Sequence, residues 1–214
     1  QRDPVAVSLL DQIKAVDGVA AVSPNIYGTA TVIDKDGDAI KTQGAPQIGT
    51  VWDAENNLGG TKIRSGNAPV GADQILMDEA TADRAHYKVG DTVSVGLDEG
   101  IQQFELVGLI GLGDSKGYAG ATVVAWDVPT AQQLLGSTEG LDAIDIKLAD
   151  GADASAVQQR IEQILPERTE VITGDQLAEE AKKGVNQFLG YFQNGLLAFA
   201  FITLFVSAFI INNV

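Results

Sequence analysis

The stretch AIDIKLADGADASAVQQRIEQILPERTEVIT, residues 143–173, sets the architecture of the chain. Ile144, Ile146 and Leu148 alternate with polar neighbours, the two-residue period of a strand with one buried face. Val157, Ile161, Ile164 and Leu165 then fall on one side of a helix that Pro166 stops, because proline lacks the amide another turn needs. Glu170 to Thr173 reads as a further extended piece. The resulting βαβ unit packs its helix on one face of a sheet, with a right-handed crossover if its strands are parallel. The expected fold class is α+β.

Upstream, Asp3 can cap a helix with Pro4 in its first turn, and Val5, Leu9, Ile13 and Val16 supply the apolar stripe before Gly18. Val19 to Val22 and Ile26 to Ile33 read as extended, and Asp36-Gly37 is a hairpin signal returning the chain through Ala39 to Gln43. Residues 47–72, rich in Gly, Asn and Pro, read as a crossover into a second lobe. That lobe holds a strand at Gln74–Asp78, an Ala-rich helix at Glu79–His86, and strands at Thr92–Leu97 and Phe104–Leu109 joined by Asp98-Glu99-Gly100. A glycine-dense stretch, Gly111 to Gly120, reads as a mobile connection, after which Thr122–Trp126 re-enters the first lobe. No repeat of about 20 to 50 residues stands out.

Downstream, the character of the chain changes completely. Six of the seven phenylalanines lie at 188, 192, 199, 201, 205 and 209, and Val185 to Val214 carries no charge. In GLLAFAFITLFVSAFII, Gly195 to Ile211, only Thr203 and Ser207 are polar. A helix of ~20 apolar residues rising ~1.5 Å each crosses ~30 Å of hydrocarbon, so this segment is expected to span a membrane. A buried core helix is usually shorter and amphipathic. The expectation is a water-soluble head, residues 1–184, on a membrane stem, and the chain reads as a fragment of a longer protein.

Composition excludes several classes of function. The chain has no cysteine and one histidine, His86, which removes thiol chemistry and leaves a zinc centre or catalytic triad at most one imidazole. With 29 acidic against 14 basic residues, net charge −15, and no basic patch, a nucleic-acid backbone would be repelled. No cofactor, metal or catalytic residue is expected. Asp34, Asp36 and Asp38 imitate the start of a calcium loop, but Ala39 replaces the turn glycine and Ala45 the bidentate glutamate, so a solvated hairpin turn accounts for them. Gly111-Leu112-Gly113 with Ser115-Lys116-Gly117 satisfies neither phosphate-loop pattern. His86, beside Tyr87 and Lys88, reads as a helix-terminal surface residue.

The junction of head and stem is the most informative place for function. After Pro166 there is no proline, so one helix could run from about Asp175 to about Asn212, ~37 residues or ~55 Å. Gln187, Gly190 and Asn194 make a small, polar stripe at its upper rim, beside an apolar stripe of Phe188, Phe192 and Phe199. Either they face headgroups and water, or they make close contact with another membrane helix or with cargo passing between helices. Gly184 is the first of the few glycines where such a helix could bend.

The order of short strings resembles the extracytoplasmic domain and following transmembrane helix of FtsX/MacB-type ABC transporter permeases. They are Ile13-Lys14-Ala15-Val16-Asp17-Gly18-Val19, Ser65-Gly66-Asn67-Ala68-Pro69, Lys88-Val89-Gly90-Asp91-Thr92-Val93, Phe104-Glu105-Leu106-Val107-Gly108-Leu109, Trp126-Asp127 with Ala131-Gln132-Gln133-Leu134-Leu135, and Phe209-Ile210-Ile211-Asn212. Asn67 departs from the pattern, standing where a basic residue is expected. The resemblance implies a porter-like βαβ lobe at 1–60 with 121–184, an inserted strand-rich lobe at 61–120, and the stem at 185–214. It further implies a permease without ATPase activity of its own, paired with a second permease subunit and with cytoplasmic ABC ATPase subunits, and embedded in lipid with residues 1–184 on the extracytoplasmic side. Gly184, Gln187, Gly190 and Asn194 are the candidate helix-packing or coupling residues. The rival expectation is a single-span membrane-anchored binding or sensor domain.

Overall fold

The structure is a computed structural model that describes residues 4–56, 58, 60–135, 140–177, 179, 182–183, 189–197 and 199. The chain divides into two compact units, Gln1–Thr169 and Glu170–Val214. The first is α+β and holds the hydrophobic core.

It opens with α1 (Leu9–Lys14), which starts later than Asp3 and Pro4 suggest. The reason is local: Val5 exchanges two backbone hydrogen bonds with Leu141, each 2.7 Å, and such a bridge requires extended backbone. Next come β1 (Val19–Asn25), β2 (Tyr27–Thr29), β3 (Thr31–Ile33), β4 (Gln47–Trp52) and β5 (Thr61–Gly66). They are followed by β6 (Gln74–Asp78), α2 (Glu79–Ala85), β7 (Thr92–Leu97) and β8 (Gly100–Leu112). The unit ends with β9 (Thr122–Asp127), α3 (Val128–Leu134), β10 (Ala143–Leu148) and α4 (Ala154–Glu162). Residues 47–66 therefore hold two strands where a crossover was expected.

The segment 143–173 forms its strand and helix but not the second parallel strand. β10 instead pairs antiparallel with β1 as a two-stranded sheet, Val22 opposite Ile146. Asp153 caps α4 by accepting from the amides of Ser155 and Ala156, and the helix buries Val157 and Ile161. Residues 170–173 are not a strand, and Thr173 begins a helix: its amide donates to Gln176 Oε1 (2.8 Å) while its hydroxyl accepts from the Gln176 amide (3.2 Å), a capping box.

The remaining strands make one eight-stranded sheet in the order β2-β4-β9-β6-β8-β7-β3, with β5 added on β8. Its two ends belong to the same run of chain: β2 pairs with β4, β3 pairs with β7, and only Ala30 stands between them. Residues 27–33 thus close the sheet into a barrel, which leaves it without long free edges. Strands from both expected lobes share this sheet.

The barrel has two matching halves. In the first, β2–β3, β4, β6 and α2 follow in order; in the second, β7, β8, β9 and α3. Within each half the first two strands pair antiparallel, and the second strand runs parallel to the third strand of the other half, β4 with β9 and β8 with β6. Matching elements meet at the centre, Val32 opposite Val95 and Leu76 opposite Ala125. Asp78-Glu79-Ala80-Thr81-Ala82 returns as Asp127-Val128-Pro129-Thr130-Ala131. The repeat escapes a sequence reading because its connections differ in length, residues 34–46 in one half against Asp98 and Glu99 in the other.

Val32, Val95, Ile75, Met77, Leu106, Val124 and Trp126 fill the barrel, each fully buried. Phe104 meets Trp126 edge to face, centroids 5.4 Å apart. Backbones approach closely at Gly66, paired with Gly108. A Cβ on Gly66, which has φ +79°, would overlap the carbonyl oxygen of Val107.

Candidate functional site

Of the four coupling residues expected from sequence, Gly184 and Gln187 lie outside the described residues, as do Phe188 and most of the expected membrane segment. Gly190 and Asn194 lie in a helical stretch, residues 189–197, with Asn194 exposed. Among the described residues, no helix is long and apolar enough to cross a membrane. The apolar side chains described here are exposed, Phe192 at 61% and Phe199 at 70%.

The first unit contains a groove of about 260 Å³ between the β1–β10 sheet and the outer face of the barrel. Its floor is apolar, from Ile48, Ile110, Val123 and Ala125. Tyr27, Trp52 and Tyr118 provide aromatic walls, and Tyr118 shares a 2.7 Å hydroxyl hydrogen bond with Thr61. Asp53, directly after β4, and Asp145 on β10 stand among the lining residues, whereas among the described residues no lysine, arginine or histidine does. Tyr27 is fixed by its amide, which donates to Asp142 Oδ2 at 2.7 Å. Burial raises its phenol pKa, and the charges of Asp145 and Asp142 raise it further.

Two buried or half-buried carboxylates join the barrel halves. Asp78, fully buried, caps α2 by accepting from the Thr81 amide (2.9 Å) and also accepts from the Val123 amide of β9 (2.8 Å). Burial raises its pKa, partly offset by those bonds. Asp127 is its counterpart: it caps α3 through the Thr130 amide (3.0 Å) and accepts from the Gly71 amide (2.8 Å). Burial alone would raise its pKa, but the bonds from Thr130 and Gly71 outweigh it, and the carboxyl sits below its ordinary value. Sequence reasoning missed both caps, although the Asp-x-x-Thr spacing before each helix, and Pro129 at the start of α3, are signals that could have found them.

The other singled-out residues have structural duties. Asp34 Oδ1 accepts from the amides of Asp36 and Asp38, both 2.9 Å, which closes the hairpin turn. The glycine-dense loop is tied down rather than loose: Arg64 donates to the carbonyls of Gly113 (2.8 Å) and Ser115 (3.0 Å), and Lys116 pairs with Glu79 at 2.7 Å. His86 ends α2 in the left-handed conformation, φ 59°, and is exposed. In Lys88-Val89-Gly90-Asp91, the Asp91 carboxylate takes hydrogen bonds from Lys35 Nζ (2.7 Å) and the Lys88 amide (2.9 Å), and both hold its pKa low.

A closed mixed barrel stands beside a small antiparallel sheet, with an aromatic groove between them. Residues 1–164 match the model of the MacB-like periplasmic core domain, and the chain belongs to that family. Its fold is similar to the periplasmic region of MacB from Actinobacillus actinomycetemcomitans, with TM-score 0.63 and 11% identity over 84% of each chain. It is also similar to the extracellular domain of the noncanonic ABC-type transporter YknZ from Gram-positive bacteria, with TM-score 0.60 and 13% identity over 79% of this chain and 90% of that one. A domain of a putative permease protein from Porphyromonas gingivalis gives TM-score 0.52 at 14% identity over 76% of this chain and 69% of that one. No curated protein matches the sequence. The FtsX/MacB-type resemblance is thereby sustained: this is an extracytoplasmic core domain of a MacB-like ABC transporter permease.

Proposed function

We propose that this core domain and residues 185–214 work as the head and lever of a permease that transmits force from cytoplasmic ABC ATPase subunits. The observation that carries the reading is the order of parts: a core domain matched over residues 1–164, then an uncharged run from Val185 that contains Gly195–Ile211. Exposed Leu196, Leu197 and Phe199 suit lipid contact. A second permease subunit, identical or different, would complete the pore-free assembly. The cargo class is a hydrophobic or envelope-associated molecule, exported or extracted while the head moves.

In this reading a proline-free helix carries displacement across the membrane, and Gly184, Gln187, Gly190 and Asn194 set how it packs and bends. The lobe division at residues 60 and 121 belongs to the same proposal. Because one barrel sheet runs through both lobes, they would move as one body. The test is Gly184→Pro in the full-length permease, with membrane insertion, ATPase rate and transport measured together. Transport should fall at least about tenfold while ATP hydrolysis persists. Unchanged transport in a correctly inserted variant overturns the lever and returns the chain to the tethered binding domain.

A further inference from the structure

The groove between the β1–β10 sheet and the barrel combines three properties that together select a ligand. Its floor is apolar, its walls are aromatic, and among the described residues the charged groups that line it are Asp53 and Asp145. Asp53 Oδ1 accepts from the amides of Glu55 and Asn56, so the carboxylate is held in place by neutral backbone donors. The whole chain adds to the negative field with its net charge of −15.

We infer that this groove binds a small organic cation with a one-ring apolar body, an arylalkyl ammonium. The ring would displace water from the floor of Ile48, Val123 and Ala125, and the ammonium would sit toward the carboxylates with the faces of Tyr27 and Trp52 beside it. Size favours one ring: the groove's 260 Å³ exceeds the ~150 Å³ cavity that takes benzene and falls short of the ~300 Å³ at which drug-sized pockets begin. An anion of the same shape would meet two carboxylates and, among the described residues, no lining cation. A neutral analogue would gain only the apolar contact. The inference does not rest on the transport reading and would hold for a tethered domain as well.

The test uses three matched probes, phenethylammonium, 2-phenylethanol and 3-phenylpropionate, titrated calorimetrically near pH 7 into the full chain held in neutral lipid nanodiscs. Tryptophan fluorescence supplies a second readout, since of the two tryptophans Trp126 is fully buried and Trp52 lines the groove. Phenethylammonium should bind with a dissociation constant on the order of 0.1 to 1 mM, at least about tenfold more tightly than the alcohol, with the propionate weakest. Asp53→Asn with Asp145→Asn should shrink the advantage over the alcohol to below about threefold while the alcohol still binds. The single variant Asp145→Asn should give part of that loss, which keeps the comparison available if the double variant does not fold. Equal binding of the three probes, preference for the anion, or a cation preference that survives Asp145→Asn and the double variant overturns the inference.

Discussion

Asp78 and Asp127 occupy equivalent places in the two barrel halves, yet their titrations act on stability with opposite signs. Asp78→Ala orphans the amides of Thr81 and Val123 and should lower unfolding free energy by about 2–4 kcal/mol, read from urea midpoints. Asp78→Asn keeps one acceptor oxygen but turns its NH2 on the second backbone donor, because the Thr81 amide bonds Oδ1 and the Val123 amide bonds Oδ2, so it should still cost about 1–3 kcal/mol near pH 7. Because the folded-state pKa of Asp78 is raised, the folded form binds its proton more readily than the unfolded chain does. Wild type therefore gains on Asp78→Asn as pH falls through that raised pKa toward the ordinary 3.8. Asp127, with a lowered pKa, contributes stability that is present above 3.8 and lost as pH falls through its depressed folded-state value. Urea midpoints at about pH 7 and about pH 3 should show the Asp78→Asn difference shift in favour of wild type and the Asp127→Asn difference shift against it. Equal movement in both variants would refute the assignment.

At the scale of elements, glycines account for what the sequence reading missed. β4 reads as part of a Gly-rich crossover because Gly49 interrupts its apolar pattern, but Gly49 makes no turn. It pairs with Gly28 across β2 and β4, and Leu135, just after α3, fills the slot left by their missing side chains. A Cβ on Gly49 would come within 2.8 Å of Leu135 Cδ2. Gly49→Ala should therefore cost about 1–3 kcal/mol, and pairing it with Leu135→Ala should recover part of that, a coupling above about 0.5 kcal/mol in a double-mutant cycle. Gly66→Ala differs, since its obstacle is backbone of β8 that cannot step aside, and no side-chain change at Leu135 should rescue it. The strands that were legible, such as β6, β7 and β9, carry β-branched or long aliphatic residues in runs bounded by turn residues. In those the local pattern and the tertiary environment agree.

For the molecule as a whole, the proposed stem predicts that the full chain partitions with lipid, and that a version ending at Asn194 remains in the aqueous phase. Recovery of both in the aqueous phase after flotation would remove the membrane segment from the proposal. The sequence by itself determined the α+β class, the acidic balance with its net charge of −15, the lack of cysteine thiols, and the family, because these depend on composition, periodicity and short strings. Only the tertiary structure decided that residues 27–33 close a barrel of two like halves, that β10 returns antiparallel to β1, and that Trp52, Tyr27 and two carboxylates line one groove. Strand partners and groove walls come from residues far apart in the chain. Their pairing is fixed by which buried faces fit together, and no local stretch of sequence carries that information.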